Sequence, residues 1–351
     1  MNSKSLKRDV RGAHDANNGG DADDSVAALP KRSWHGVLRK FQLELRMLLL
    51  FVLLCIVLGV VSPHFLSLGN VLNLMDQAVV TGIAAIGQTF VVLVGGIDLS
   101  VGSITGVGGI FLGLAINSMG MPIIPAVLVA IVGGGLLGLV NGLLVTRGRI
   151  APFIVTLGMM SIGRSMAFVL TNGNSISTLP DGLALPSTAS VLGLPVNFLV
   201  LIVLFAGAWY YLTFTKGGRT IYAIGSNREA ARSAGLRVDF YNVLVYVLAG
   251  VFSSVAAVML ASRLMSIDPI GGTGLELDSI AAVVIGGASL FGGRGSMIGS
   301  FFGVLILVLI HNGLNLLNVG PYWQGSAVGT VIIVAVLGER LLSSRFGNKA
   351  R

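Results

Sequence analysis

Apolar stretches of about twenty residues recur along the chain from Leu45 to Leu341, parted by short polar or glycine-rich connections. A soluble domain of this length alternates apolar stretches with polar faces. Crossing a hydrocarbon core takes about twenty apolar residues of helix, and backbone polar groups in lipid must be paired within the segment. The pattern therefore predicts an all-α polytopic membrane protein of about ten transmembrane helices. The expected spans are Leu45–Val61, Val71–Val94, Leu99–Asn117, Ile123–Thr146, Ile150–Thr171, Val196–Phe214, Tyr241–Ser262, Leu277–Phe291, Ser296–Leu316 and Gln324–Leu341. The eighth is short for a full crossing and is flanked by glycine pairs, which points to a tilted or broken helix.

Residues 1–40 are polar and carry the run Asp15–Asp24, so they are expected to form a disordered tail. No small-residue cleavage site follows the first apolar run, and that span is expected to stay as an anchor. Residues 41–342 then form the membrane domain, with a long polar loop at 215–240, and 343–351 form a second short tail. The polar loops divide by charge. Lys31, Arg32, Arg39, Lys40 and Arg46 precede the first span. Arg147, Arg149, Lys216, Arg219, Arg228, Arg232, Arg237 and Arg294 fall in even-numbered loops, and Arg340, Arg345, Lys349 and Arg351 at the end. The odd-numbered loops carry almost none, Arg263 being the exception. By the positive-inside rule both termini are expected in the cytoplasm.

Composition agrees. The chain is 54% hydrophobic and 11% charged, and its 49 glycines suit close contacts between membrane helices. The formal net charge of +8 follows from the cytoplasmic loops and does not call for nucleic acid. Cys55 is the single cysteine, which excludes an intrachain disulfide and any Cys/His metal pattern. Neither a catalytic residue nor a metal ligand is expected.

The stretch Gly225–Leu236, GSNREAARSAGL, stands out against this background. An arginine at a helix centre in the bilayer costs about 2.5–3.5 kcal/mol, so the stretch belongs to the polar loop. Ser226 and Glu229 have capping-box spacing. Arg228, Glu229, Ala230, Ala231 and Arg232 favour helix, and Gly235 suits the left-handed end. Alone, so short a helix is marginal and needs something to pack on. It either lies on its own membrane domain or docks on a cytoplasmic partner.

The segment Glu229–Gly235 resembles the E-A-A-x-x-x-G core of the cytoplasmic loop in membrane subunits of bacterial ABC importers. Val92–Ser103, Thr156–Arg164, Gly218–Leu236, Gly271–Gly303 and His311–Leu317 resemble, more narrowly, the permease family for ribose and related sugars. The resemblance runs from about Leu45 to Leu341. The I-x-L-P sequence that follows the loop core in other importer classes is missing. The resemblance implies a permease of the bacterial inner membrane that forms a homodimeric pore. It implies a cytoplasmic ABC ATPase that docks on the loop helix, and a periplasmic or other extracytoplasmic binding protein that delivers a monosaccharide. It also implies gating roles for Gly95, Gly96, Asp98, Ser100, Gly286 and Gly287. The chain has no Gly-Lys pair and hence no P-loop, so it is expected to bind no cofactor, with ATP and magnesium on the partner.

Polar residues inside spans face the protein interior or a cavity. Gln88, Thr89, Asn141, Thr156, Asn312 and Asn315 are thus candidates for the sugar path, against a purely structural role in interhelical hydrogen bonds. Asp98 is expected to cap the helix starting at Leu99, and Arg164 needs a buried partner. Asp268, Glu276 and Asp278, in the most charged external loop, are candidates for docking the binding protein. Val94–Gly106 and Ile285–Gly299 resemble one another. Two other classes compete: an ion-coupled secondary transporter, for which the chain has few deep ionisable groups, and an intramembrane serine protease using Ser289 and His311.

Overall fold

The computed structural model describes residues 42–320, 323–330, 333–334 and 337. The tails expected at 1–40 and 343–351 lie outside the described residues, as does much of the tenth span.

The chain forms helix after helix. These are α1 (Gln42–Val61), α2 (Leu68–Leu93), α3 (Val101–Asn117), α4 (Ile123–Thr146) and α5 (Pro152–Thr171). A short 3-10 turn (Asp181–Ala184), α6 (Leu185–Thr188) and a two-residue hairpin, β1 (Ser190–Val191) with β2 (Leu194–Pro195), lead to α7 (Val196–Phe214). Then come α8 (Lys216–Ser226), α9 (Arg228–Ser233), α10 (Val238–Leu264), α11 (Leu275–Ile285) and α12 (Met297–Leu316), and residues 323–330 are again helical.

Seven of these, α1, α2, α4, α5, α7, α10 and α12, are long and apolar enough to cross a membrane. Their outer faces are apolar too. On α1 the side chains of Leu45, Leu49, Leu53, Ile56 and Val60 are all exposed, Val60 at 82%. Such a surface is stable only where the surroundings are themselves apolar. The eighth expected span shrinks to α11, whose 11 residues reach about 16 Å, half of a hydrocarbon core about 30 Å thick. The third span begins two residues later than expected, at Val101, and α3 is buried on almost every face.

The centre of the bundle is α10, which packs on α4, α2 and α3. Glycines make this possible. Gly134, Gly138 and Gly142 recur every four residues along one face of α4. A Cβ on Gly138 would collide with the Tyr246 carbonyl oxygen, and one on Gly142 would sit 2.8 Å from the Val243 Cα. On the other helix Gly250 meets the Gly134 carbonyl in the same way. With little hydrophobic force between helices in lipid, close backbone approach and its dispersion contacts hold them together. Ile83, Ile86, Val91, Leu93, Val245 and Tyr246 fill the core beside this seam.

The 27 residues of α10 span about 40 Å. The polar loop carrying α8 and α9 therefore lies at one end of the bundle and the 265–274 connection at the other.

Candidate functional site

The polar loop is two helices, not one. Thr215 caps α8 by accepting a hydrogen bond from the Gly218 N–H at 3.1 Å. Ser226 is the last residue of α8, so the expected capping box with Glu229 does not form. Asn227 is the cap of α9 instead: its backbone is extended, and its Oδ1 accepts from the Ala230 N–H at 2.9 Å. A Ser226 hydroxyl on a backbone still helical points the wrong way to reach the next helix's free N–H groups. The far end is as expected. Gly235 has φ +77°. Its N–H donates to the Arg232 carbonyl at 3.0 Å, and the Leu236 N–H to the Ala231 carbonyl at 3.1 Å. This is a Schellman end.

The alanines divide between two faces. Ala231 is buried with Ile224 and Val238, and Val94 and Leu236 pack on them. Arg228, Glu229, Ala230, Arg232 and Ala234 are exposed. Arg232 pairs with Asp239 at 2.9 Å. The six-residue α9 thus rests on its own bundle by one side chain and presents the rest outward.

Beneath α8 and α9 lie two interrupted helices. α2 stops at Leu93. The Gly95 N–H donates to the Val92 carbonyl at 2.9 Å, the Gly96 N–H to the Val91 carbonyl at 3.0 Å, and Gly95 has φ +79°. α11 stops in the same manner: Gly287 N–H to Val284 at 2.9 Å, Ala288 N–H to Val283 at 3.1 Å, Gly287 φ +84°. The two similar segments of the sequence are both Schellman ends, offset by one glycine. They also touch. The Gly293 N–H donates to the Leu93 carbonyl at 2.9 Å. A Cβ on Gly292 would sit 2.8 Å from the Gly95 nitrogen and 3.0 Å from the Gly225 carbonyl oxygen, and one on Gly225 2.5 Å from the Gly293 nitrogen. The Tyr222 hydroxyl donates to the Gly295 carbonyl at 3.0 Å, and burial, with Glu44 nearby, pushes that phenol above its usual range. The end of α8 therefore sits on the end of α2 and on the 292–295 turn that follows the α11 break.

Between the α2 break and α3 lies Asp98, fully buried. Its Oδ1 accepts from the Ser100 N–H at 2.8 Å and the Ser100 hydroxyl at 2.5 Å. The expected cap does not form: the helix starts at Val101, not Leu99, with Ser100 at its N-cap and no side chain on its first N–H groups, and Asp98 binds the backbone just ahead of it. Asn141 Nδ2 donates to the Ser100 hydroxyl at 2.8 Å, and Thr156 donates to the Ile97 carbonyl at 3.1 Å. α4 and α5 thereby fix the linker. Gly286 lies where a Cβ would meet the Ser300 nitrogen of α12 at 2.7 Å.

Most of the polar candidates for the sugar path bind other helices in this arrangement. Thr89 meets Ser300 at 2.9 Å. Asn312 exchanges amide hydrogen bonds with Asn70 at 2.8 and 3.1 Å, and Asn315 accepts from Gln324 at 2.7 Å. Gln88 is different: it is fully buried, and neither amide atom has a partner among the described residues.

The three acidic docking candidates separate. Asp268 is exposed and accepts from the Ser175 hydroxyl at 2.8 Å. Glu276 folds in, with Oε1 accepting from the Gly274 N–H at 3.3 Å and Oε2 buried against Gly102. Arg164 secures the same connection through the carbonyls of Gly271 at 3.2 Å and Pro269 at 3.4 Å, which accounts for its charge inside α5. Asp278 lines a cavity of about 250 Å³ with Gln77, Thr81, Arg263, Thr273 and His311. Sequence reasoning had not joined these residues, which come from α2, α10, α11, α12 and the 265–274 connection. The local signal was Gln77 and Thr81, four apart on one helix face. Ser289 and His311 do not form a dyad. Ser289 precedes α12, and His311 stands 14 residues into it, about 20 Å along its axis.

These features define a multi-pass α-helical membrane protein whose polar loop is anchored on interrupted helices. The chain belongs to the family of branched-chain amino acid transport system permease components, which matches residues 70–337. Among its curated relatives is a ribose import permease protein of Haemophilus influenzae, 39% identical over 87% of this chain and 96% of the relative. The ribose import permease protein of Bacillus subtilis is 42% identical over 84% and 92%. The D-allose transport system permease protein of Escherichia coli is 36% identical over 84% and 91%. No solved structure matches the chain.

Proposed function

We propose that the chain is the transmembrane subunit of an ABC importer of the bacterial inner membrane, taking up a ribose-like monosaccharide. The observation that carries this is the α8–α9 loop, whose outer face is free for a partner and whose inner face rests on the end of α2 and on the turn that follows the α11 break. In this reading Arg228, Glu229, Ala230 and Ala234 meet a cytoplasmic ATPase. Gly95, Gly96, Asp98, Ser100, Gly286 and Gly287 form the gate that the ATPase moves. The permease names of the relatives, two for ribose and one for allose, favour a sugar over the amino acid in the family's description.

Ten crossings complete the reading, with α3, the last helix, and α11 together with the glycine turn that follows it added to the seven, and both termini in the cytoplasm. Two copies form the pore and α1 faces lipid. ATP and magnesium bind the partner and no cofactor binds this chain. A binding protein docks at the 265–274 end, with exposed Asp268 as the contact.

Tagged protein purified in mild detergent should bring down an ATPase subunit. Glu229→Lys and Gly235→Pro should each lower sugar uptake at least tenfold while leaving the amount of inserted protein unchanged. Full uptake in both variants would remove the coupling role of α9. Uptake without any ATPase, abolished by a protonophore, would favour an ion-coupled carrier, in which the buried carboxylate of Asp98 has a ready use.

A further inference from the structure

The cavity beside Asp278 has no role in the gate or in the coupling loop. It lies at the end of the bundle remote from α8 and α9, beside the last turn of α10 and the 265–274 connection. At about 250 Å³ it falls just under the range of about 300–1,000 Å³ typical of small-molecule sites. That suits one small ring.

Its walls are of two kinds. Val80, Leu260, Leu275 and Val308 supply apolar surface, while six polar side chains converge between them. Gln77, Thr81, Asp278 and His311 make no side-chain hydrogen bond to another described residue. Arg263 has only a long one, 3.5 Å, to Asn73. These side chains are half-buried, and Thr273 is exposed, so the polar groups line a mouth open at the end of the bundle and are available to a solute.

We propose that this cavity is a monosaccharide subsite at the outer entry of the permeation path, with Asp278 accepting hydrogen bonds from two adjacent sugar hydroxyls. The proposal rests on the importer reading above and names where the sugar first binds. A vicinal diol presents two O–H donors side by side, which one carboxylate accepts together. Arg263 and Gln77 donate to ring and hydroxyl oxygens, and Thr81, Thr273 and His311 serve as donor or acceptor. The apolar residues take the C–H faces of the ring. No single one of these groups is specific; the combination of a carboxylate, a guanidinium, an amide and two hydroxyls around one ring-sized space is what a polyhydroxylated, uncharged ligand uses. α2 then gives a direction. Position 88 falls within about 20° of position 77 around the helix and about 16 Å further along it. The unpartnered amide of Gln88 is thus on the same helix face as Gln77 and Thr81, deeper in the bundle and on the way to the break at Leu93.

The test uses the full transporter in proteoliposomes, that is, this chain with its ATPase and binding protein, supplied with radiolabelled D-ribose, D-allose or D-fructose. Asp278→Asn and Gln77→Leu should each reduce uptake of the transported sugar at least tenfold, while the binding protein still stimulates ATP hydrolysis to within twofold of the parent. Parental uptake in both variants would overturn the subsite and leave the importer reading intact. Loss of stimulation together with uptake would make Asp278 a docking residue and also overturn the subsite. A parent that moves none of these sugars but is stimulated by another solute would overturn the sugar assignment and the subsite with it. A second measurement is independent of turnover. With Cys55 replaced by alanine, Thr273→Cys should react with a maleimide from the outer side, and millimolar transported sugar should slow labelling at least fivefold. An unchanged labelling rate counts against the subsite.

Discussion

At the residue scale the decisive positions are those where backbone meets backbone. Gly138 tolerates no side chain because the Tyr246 carbonyl occupies the space, whereas nothing lies within 4 Å of a Cβ on Gly207. Both are helical glycines in apolar spans, and the sequence does not tell them apart. Overpacking a tight contact destabilises by about 1–3 kcal/mol or more. Gly138→Leu should therefore lower the melting temperature in detergent by several degrees or prevent recovery of a monodisperse protein; Gly207→Leu should do neither. Fluorescence-detected size exclusion after heating separates the two, and equal melting would refute the close-packing account. Gly235 was legible for a different reason. A short helix with a glycine after its last helix former has few other ways to end, and φ +77° is the conformation glycine takes without strain.

At the element scale the coupling helix shows what local sequence can and cannot fix. Its existence, end and exposed arginines followed from propensity and charge. Its start did not, since Ser226 and Asn227 are adjacent and equally good caps. The choice depends on how far α8 runs, and α8 was hidden inside a loop read as one element. Asn227→Ala should remove about 1 kcal/mol of cap energy and raise hydrogen exchange in residues 229–233 several-fold, whereas Ser226→Ala should leave that exchange as it is. The reverse pattern would restore the Ser226 capping box. Asp98 illustrates the same limit: the sequence suggested a cap, but its carboxylate binds Ser100 ahead of the helix, and the buried chain through Ser100 to Asn141 was not legible, because α4 enters from forty residues away.

At the scale of the whole molecule, hydropathy and charge were enough for a multi-pass helical protein, because lipid forces each apolar run to satisfy its own backbone. They overstated α11, since an apolar run of fifteen residues looks alike whether it is all helix or a short helix and a glycine turn. The cavity at Asp278 was beyond reach: its lining comes from α2, α10, α11, α12 and one connection, and no spacing along the chain joins them. The expected orientation is open to direct test. In a Cys55→Ala background, single cysteines at Ser233 and Ser175 should be labelled by an impermeant maleimide from opposite sides of the membrane, Ser233 from the cytoplasm. Labelling of both from one side would remove the inside-positive topology.

The meeting of α8 with the end of α2 and the turn after α11 has a mechanical consequence. Where side chains mediate contact between elements, part of any displacement is absorbed as they change rotamer. Here Gly225, Leu93, Gly292, Gly293 and Gly95 touch through main-chain atoms, which have no rotamers to change. The junction is stiff. A shift of the loop reaches the end of α2 and the turn between α11 and α12 together and with little slack, so these two segments move in step rather than in turn.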